Sequence, residues 1–327
     1  MGRVIDVHAH TVLEVSLGAA GPAGPEAGTQ PDGRPFYRIG DYVLAGVRYA
    51  GTPFMDVDVR LAAMDAAGID VQLLSPNPLT YFERLDAAGA TAYARTHNDA
   101  LAALAAKHPG RLLAAAQLPV QDIAASVAEA RRAVRDLGMA AVYIDTDPAG
   151  RTLDDPALDP LYEAVTELNV PLFVHPSPLG ADGPPDDPRL RRFDLDLAFG
   201  FARDETLAVV ALVCGGVLDR HPELDVCVSH GGGAAAFLAG RLSRAVEARA
   251  WASPALQERG FGYYYRRIWF DTHVGDAASL QLLTDRVGTD RLVFGTNFAG
   301  WDSGAGEDPG ALADTLAANA ARLLRLG

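Results

Sequence analysis

Eight short apolar runs alternate with eight helical segments along almost the whole chain. Each run is rich in Val, Ile, Leu or Phe and has no polar face, as expected of strands buried on both sides of a parallel sheet. The predicted strands span residues 4–10, 70–76, 112–119, 140–146, 171–177, 225–230, 268–274 and 291–296. The predicted helices lie near residues 57–67, 91–107, 121–137, 156–168, 203–220, 234–250, 276–287 and 309–326. This α/β alternation predicts a closed (β/α)8 TIM barrel; an open doubly wound sheet is the alternative, and eight complete units favour closure.

Two connections are too long to be simple turns. Residues 11–55 form an insertion after the first strand, in which Tyr37-Arg38-Ile39 and Tyr42-Val43-Leu44 suggest a small hairpin. Residues 178–202 form a long loop after the fifth strand. Both follow the carboxyl ends of strands, where barrel enzymes build their active sites, so we expect a lid and a substrate wall. Neither resembles an independent domain, and residues 1–327 are predicted to form one barrel domain.

The charge balance argues against one class of partner. The chain has a formal net charge of −14 and a pI near 4.9. It has no Lys/Arg run to neutralise phosphates, so nucleic acid is not an expected partner. Cys214 and Cys227 match no zinc spacing and are expected to be buried, reduced thiols. Without a signal peptide or a membrane-length apolar run, we expect a cytoplasmic protein with no membrane contact.

The first predicted strand ends in Val7-His8-Ala9-His10. Residues i and i+2 of an extended strand point to the same face, so both imidazoles can converge on one point. A divalent metal ion is the usual reason for such convergence. Taken alone the pair is a weak signal, because two histidines near an N-terminus are often accidental.

Further histidines end three more predicted strands. His175, His230 and His273 end the fifth, sixth and seventh strands, so that five of the eight histidines share one rim. Neutral imidazoles in this number suit zinc or a similar borderline divalent ion. The remaining three, which we expect to cap helices or lie in solvent, are His97, His108 and His221.

Other short motifs follow the strands in order. They are Leu74-Ser75-Pro76, Leu118-Pro119-Val120-Gln121, Phe173-Val174-His175-Pro176, Gly215-Gly216-Val217, Ser229-His230-Gly231-Gly232-Gly233 and Phe294-Gly295-Thr296. Together with the histidine pair of the first strand they resemble the amidohydrolase superfamily (amidohydrolase family 2). Within it, the pattern is similar to the branch of aminocarboxymuconate-semialdehyde decarboxylase and related aromatic-acid decarboxylases. The resemblance covers essentially the whole chain and implies the same barrel fold.

The resemblance also implies roles for individual residues. His8, His10 and His175 would be ligands of a Zn²⁺ or Mn²⁺ ion. His230 would be a catalytic acid/base beside the metal, and Arg48 would be a catalytic residue that holds the substrate carboxylate. Members of this branch are often dimers, so a homodimer is expected.

One position departs from the pattern of the family that the chain resembles. That family places an aspartate after the eighth strand, as the last metal ligand and, in hydrolases, the general base; this chain has Asn297. Asparagine cannot take a proton from water, and its carbonyl is a neutral, weaker ligand. The zinc site would then keep a formal charge of about +2 instead of +1 and bind an anionic substrate more strongly. Asp302, further along the loop, is an alternative carboxylate that could reach back to the metal.

The substrate is expected to be a small carboxylate. Its candidate contacts are Arg48, His273, Phe298 and Trp301. The insertion aromatics that could hold a flat ring are Phe36, Tyr37, Tyr42 and Tyr49. The run from Gly231 to Gly233 lacks the lysine of a phosphate-binding loop and indicates close approach of the backbone to the helix that follows. Asp271 is expected to lie in the core or to support the metal ligands.

Three functions are compatible with the sequence. The first is a metal-dependent non-oxidative decarboxylase, a carbon–carbon lyase acting on a small unsaturated or aromatic acid, which loses little without the strand-eight aspartate. The second is a metal-dependent hydrolase or hydratase of a related cyclic substrate, in which His230 or Asp302 replaces the missing base. The third is a non-catalytic or metal-poor binding barrel, which only Asn297 supports.

Overall fold

The computed structural model describes residues 3–82, 85–178, 187–300, 302–303 and 309–326. Its strands are β1 (Ile5–Thr11), β2 (Glu26–Thr29), β3 (Pro35–Ile39), β4 (Tyr42–Ala45), β5 (Val71–Pro76), β6 (Leu112–Gln117), β7 (Ala141–Ile144), β8 (Leu172–Val174), β9 (Val226–Val228), β10 (Trp269–Asp271) and β11 (Leu292–Val293). Strands β1 and β5 to β11 form one parallel sheet in chain order. The sheet closes on itself, because Val7 N donates to the Phe294 carbonyl oxygen at 2.9 Å. The predicted (β/α)8 barrel is confirmed.

Helices surround the barrel. They are α1 (Val57–Ala67), α2 (Ala87–Lys107), α3 (Ile123–Arg135), α4 (Asp159–Leu168), α5 (Leu195–Ala198), α6 (Gly200–Cys214), α7 (Val217–Arg220), α8 (Ala235–Ala248), α9 (Pro254–Arg259), α10 (Phe261–Tyr265), α11 (Ala277–Val287) and α12 (Ala313–Leu323). Aspartate side chains cap several of them: Asp56, Asp122 and Asp276 accept backbone N–H groups at the starts of α1, α3 and α11. Within the described ranges, no helix is both long and apolar enough to cross a membrane.

The apolar core has two layers. The inner layer fills the barrel and includes Val7, Leu73, Tyr143, Phe173 and Trp269. The outer, larger layer lies between the strands and the helices. Because both faces of each strand are buried, the strands are apolar on both faces, which is the pattern that predicted them. Several strands are shorter than predicted, since their last residues turn into the loops that carry the polar rim.

The insertion after β1 forms a small antiparallel sheet of β2, β3 and β4, one strand more than the predicted hairpin. Its buried side chains Tyr37 and Ile39 belong to one apolar cluster with Tyr93 of α2, so the sheet is anchored beside the rim. Tyr42 donates a hydrogen bond to Asp196 of α5 at 3.0 Å. The two connections predicted to form lid and wall therefore contact each other.

Candidate metal centre and active site

Four histidines meet at the carboxyl ends of the strands. His8 and His10 lie on β1, His175 follows β8, and His230 follows β9. The Nε2 atoms of His8 and His10 are 3.2 Å apart, and so are those of His10 and His175. One ring nitrogen each of His8, His175 and His230 lies within 4.8 Å of the other two. The fold thus brings together the histidines that the sequence pattern singled out.

The second ring nitrogen of each predicted ligand faces an acceptor. The contacts are His8 Nδ1 to Asp271 Oδ2 (2.8 Å), His10 Nδ1 to the Pro76 carbonyl oxygen (2.9 Å) and His175 Nδ1 to the Pro176 carbonyl oxygen (2.7 Å). A carbonyl or carboxylate oxygen only accepts hydrogen bonds, so each Nδ1 carries the proton. Each Nε2 of a neutral ring therefore presents a lone pair to the others.

This arrangement fits a bound metal ion. Lone pairs that face one another at 3.2 Å repel unless a cation lies among them. Nitrogens about 2.1 Å from a shared zinc ion would lie roughly 3.4 Å apart, close to the observed spacing. Burial lowers the pKa of His10 to about 3, and it lowers the pKa of His8 and of His175 well below the usual value. All three rings are neutral at pH 7, which is the form that binds a metal.

Local backbone structure helps to aim His8. The ladder between β1 and β5 shifts register between Asp6 and Ala9, and such bulges commonly redirect side chains at active sites. Asp6 holds this segment in place, because it accepts hydrogen bonds from His8 N at 3.0 Å and from Thr296 Oγ1 at 2.8 Å. Burial outweighs these bonds and raises the pKa of Asp6 to about 6.

His230 is held differently from the other three. Its Nδ1 lies 2.5 Å from Glu205 Oε1, which also accepts a hydrogen bond from Ser229 Oγ at 2.5 Å. Burial opposes protonation of His230, but the charge and hydrogen bond of Glu205 prevail and raise the pKa of the ring. Its Nε2 is buried and has no hydrogen-bond partner among the described residues. The ring centroid is 4.8 Å from that of His8. This geometry suits a group that carries a proton at the edge of the metal centre.

The glycines after His230 allow close packing. A Cβ on Gly233 would lie 2.1 Å from the Ala202 carbonyl oxygen, and one on Gly232 would lie 2.6 Å from the Phe270 ring. The close backbone approach predicted from the sequence is therefore present. Its tightest contacts are with α6 and β10, whereas the sequence prediction named the helix that follows. The approach to α6 brings Glu205 to His230.

A third group of polar side chains lies beside these histidines. His273 follows β10, and its Nε2 is 3.2 Å from Asp302 Oδ2. The other carboxylate oxygen, Oδ1, accepts a hydrogen bond from Asn297 Nδ2 at 2.6 Å. Burial disfavours ionisation of Asp302, but the hydrogen bond and charge of His273 outweigh it, and the pKa of the carboxyl is about 2. Ligand atoms of His230, His273 and Asp302 lie within 4.8 Å of one another.

A cavity of about 510 Å³ separates the insertion from the metal centre. His10, His175 and Asn297 line it, and so does Arg48, whose Nε donates to the Ala50 carbonyl oxygen at 3.0 Å. Its apolar lining includes Tyr42, Tyr49, Phe54, Leu79 and Phe201. Mostly apolar walls with a few polar groups are typical of a small-molecule site. A second cavity of similar volume shares Phe201 and is lined by His230, His273 and Asp302.

Sequence reasoning missed three supporting residues. Arg60 looks like an exposed helix charge, yet it is 2% exposed and donates to the His10 carbonyl oxygen at 2.5 Å. Asp6 carried a usable signal, since a carboxylate inside an apolar strand is costly unless it has hydrogen-bond partners. Glu205 carried none, because the Arg203-Asp204-Glu205 run resembles any solvated start of a helix.

Other sequence expectations have mixed outcomes. Phe298 is 8% exposed, lies under the Arg60 guanidinium at 5.4 Å, and is absent from the described lining of both cavities. Its position therefore does not support substrate contact. Trp301 lies outside the described residues.

His108 and His221 follow α2 and α7 as their terminal caps. The expectation for His97 was wrong: it is buried inside α2, where desolvation lowers its pKa to about 4.

The closed barrel and its converging histidines define a metal-binding barrel enzyme. The sequence model of the family described as Amidohydrolase (Amidohydro_2) matches residues 5–326. The chain belongs to this amidohydrolase family.

Curated relatives refine this assignment. A 2-amino-3-carboxymuconate-6-semialdehyde decarboxylase from Dictyostelium discoideum is 30% identical over 244 residues, which cover 74% of this chain and 66% of that protein, slightly under two thirds. A gamma-resorcylate decarboxylase from Rhizobium sp. (strain MTP-10005) is 31% identical over 258 residues, covering 74% of this chain and 76% of the relative.

One solved structure similar to this chain contains a bound metal ion and a small-molecule ligand. It is a variant of 5-carboxyvanillate decarboxylase from Novosphingobium aromaticivorans, with bound manganese and 3-methoxy-4-hydroxy-5-nitrobenzoic acid. It is 25% identical to this chain, with a TM-score of 0.72, and the match covers 84% of this chain and 82% of that one.

Proposed function

We propose that this protein is a metal-dependent, non-oxidative decarboxylase of a small aromatic or unsaturated carboxylic acid. The observation that carries the proposal is the convergence of three neutral histidine Nε2 atoms beside a cavity with aromatic walls and one arginine. The named activities of the similar decarboxylases support the same reaction class.

Each side chain has a defined task in this reaction. His8, His10 and His175 would hold the metal, which when bound supplies positive charge that stabilises negative charge developing on the substrate. Arg48 binds the substrate carboxylate by charge and hydrogen bonding, and Tyr49 and Phe54 pack against the ring. His230, charged through Glu205, delivers a proton from Nε2 to the carbon that loses CO₂.

The finer expectations belong to the same proposal. The metal is zinc, with manganese as the alternative that the carboxyvanillate decarboxylase structure supports. The protein is a cytoplasmic homodimer, and residues 1–327 form one barrel domain. Hydrolysis is less well supported, because Asn297 cannot act as a base and the nearby Asp302 carboxylate is engaged by Asn297 and His273.

The first experiment measures metal content by elemental analysis of the wild-type protein and of His8→Ala. The control is His108→Ala, at the half-buried C-cap of α2. We expect about one ion per chain in wild type and control and none in His8→Ala. The wild-type protein is then incubated with hydroxylated benzoic acids, and CO₂ release is followed.

Two results would contradict the proposal. A wild-type protein that binds no metal even after reconstitution would remove the metal centre itself. A metal-loaded protein that releases no CO₂ but hydrates or hydrolyses a cyclic substrate would establish the alternative chemistry.

A further inference from the structure

Asp302 makes two hydrogen bonds that divide its carboxylate between two partners. Oδ1 accepts from Asn297 Nδ2 at 2.6 Å, and Oδ2 is 3.2 Å from His273 Nε2. Asn297 occupies the position where the family that the chain resembles places a metal-binding aspartate. The carboxylate that this position lacks is therefore found on a neighbouring residue, and it contacts the carboxamide that took its place.

Hydrogen bonding to a carboxylate fixes the orientation of a carboxamide. The two ends of an asparagine side chain differ chemically, because Nδ2 only donates hydrogen bonds and Oδ1 only accepts them. Asp302 offers acceptor oxygens alone, so Nδ2 faces it, and Oδ1 points away from it. Asn297 lines the cavity that His10 and His175 also line. Only the Oδ1 end of the side chain can serve as a metal ligand there.

The backbone of the loop permits this contact. Asn297 has a left-handed φ of 45°, which asparagine tolerates better than most residues. Gly300 N donates to the Asn297 carbonyl oxygen at 2.7 Å, which closes a tight turn. A Cβ on Gly300 would lie 2.6 Å from Asn297 Nδ2 and 2.7 Å from Cγ. The absence of a side chain at residue 300 thus leaves room for the carboxamide to point at Asp302.

We propose that Asp302 is a positioning residue, which turns the Asn297 carboxamide so that Oδ1 becomes a neutral ligand of the metal held by His8, His10 and His175. The inference rests on the metal centre of the proposed function but not on its reaction. Its chemical consequence is a centre with oxygen and nitrogen ligands that keeps the full charge of the divalent ion.

The test is a double-mutant cycle on metal affinity, without substrate. Dissociation constants for Mn²⁺ are measured by competition titration for the wild type, Asp302→Leu, Asn297→Asp and the double variant. Asp302→Leu should weaken binding about 10-fold or more, within the range for groups that orient metal ligands. Asp302→Asn, which keeps one acceptor oxygen, should lose less.

The effect of Asp302→Leu on Mn²⁺ affinity in the Asn297→Asp background distinguishes the proposal from a purely structural role of Asp302. An aspartate at 297 needs no orientation and is repelled by Asp302, so Asp302→Leu should tighten Mn²⁺ binding or leave it unchanged there. A purely structural role of Asp302 would weaken binding equally in both backgrounds and would overturn the proposal.

Four further outcomes separate the inference from the proposed function. Unchanged affinity of Asp302→Leu in the wild-type background would overturn the inference. Two ions per chain, falling to one in Asp302→Leu, would make Asp302 a ligand of a second ion and overturn it as well. A wild type without metal would end both proposals, whereas a wild type that binds Mn²⁺ but releases no CO₂ ends only the decarboxylase assignment. Thermal unfolding of each metal-free variant shows whether it is folded.

Discussion

The two ends of the barrel hold charged and polar groups in opposite ways. At the base, Asp225 accepts hydrogen bonds from Trp269 Nε1 at 2.7 Å, from Arg325 Nη2 at 2.6 Å and from Arg291 Nη1 at 3.2 Å. The Trp269 ring also has the guanidinium of Arg291 at 4.6 Å and that of Arg322 at 4.9 Å from its centroid. The charged and polar groups of this network are thus paired within the chain.

At the rim, three histidine side chains face one another unfavourably. The Nε2 lone pairs of His8, His10 and His175 point at one another, and the three rings are buried. Such an arrangement raises the free energy of the metal-free protein and becomes favourable only when a cation binds. The comparison teaches that polar groups paired within the chain stabilise the fold. Polar groups that face one another without such pairing, as these histidines do, instead bind a ligand. Barrels in general separate the two tasks between their ends.

The substitution that tests this comparison with the largest expected effect is Asp271→Asn at the rim. Asp271 accepts from His8 Nδ1 at 2.8 Å and thereby fixes the ring that presents Nε2. Weakening this contact should lower metal affinity by about 10- to 100-fold. Asp271 Oδ1 also accepts from His273 N at 3.1 Å, and a carboxamide can accept only one of these two hydrogen bonds. Because burial raises the pKa of Asp271, its charge is costly in the fold. Removal of that charge offsets the lost hydrogen bond, so the free energy of unfolding of the metal-free variant should change little. Competition titration gives the affinity, and urea denaturation gives the stability.

The opposite result would show that Asp271 stabilises the fold, as the paired groups at the base do. If Asp271→Asn lost stability without metal and retained wild-type metal affinity, the contact with His8 would be structural. The matched control is the same chemical change at the other end of the barrel.

That change, Asp225→Asn, should lower the free energy of unfolding by about 2 kcal/mol, because charged hydrogen bonds to two arginines and an indole are weakened. Metal affinity and any activity should stay at the wild-type level, since Asp225 precedes β9 at the end of the barrel remote from the histidines. Urea denaturation of the metal-free proteins measures the loss. A variant of wild-type stability would show that the base network is mere surface charge, and a loss of metal binding would show that the two ends are coupled.

The sequence predicted the rim better than the base, for a physical reason. His8 and His10 are two residues apart, and the period of a strand places both on one face. Strand order then brings His175, His230 and His273 to the same rim, so the fold alone gathers them. At the base, Asp225 and Arg325 are 100 residues apart, and each resembles an ordinary solvated charge. Only the folded barrel shows that they pair.

The parts of the site that the sequence missed or left open depend on loop geometry. Glu205 reaches His230 because Gly232 and Gly233 let the turn approach α6. Asp302, which the sequence offered only as an alternative carboxylate, contacts Asn297 and His273 in a loop where Asn297 adopts a left-handed conformation. Neither effect has a periodic pattern in the sequence, since turns are set by individual backbone conformations and tertiary packing. The composition of the insertion likewise suggested a hairpin, whereas the chain folds back once more to form a third strand.

The smallest expected effect is a pH dependence confined to the base. Burial opposes ionisation of Asp225, but its hydrogen bonds with Arg325 and Trp269 prevail and lower the pKa below 3.8. Above pH 3.8 the carboxylate is ionised in both the folded and the unfolded chain, and its full contribution to stability is present. As the pH falls below 3.8, the unfolded chain takes up the proton first, so this contribution declines and is lost once the folded carboxyl is protonated. The stability difference between wild type and Asp225→Asn should therefore be constant from pH 7 to about pH 5 and shrink below pH 4. Urea denaturation at four pH values measures it, and a difference that grows on acidification would show that the pKa of Asp225 is raised by its surroundings.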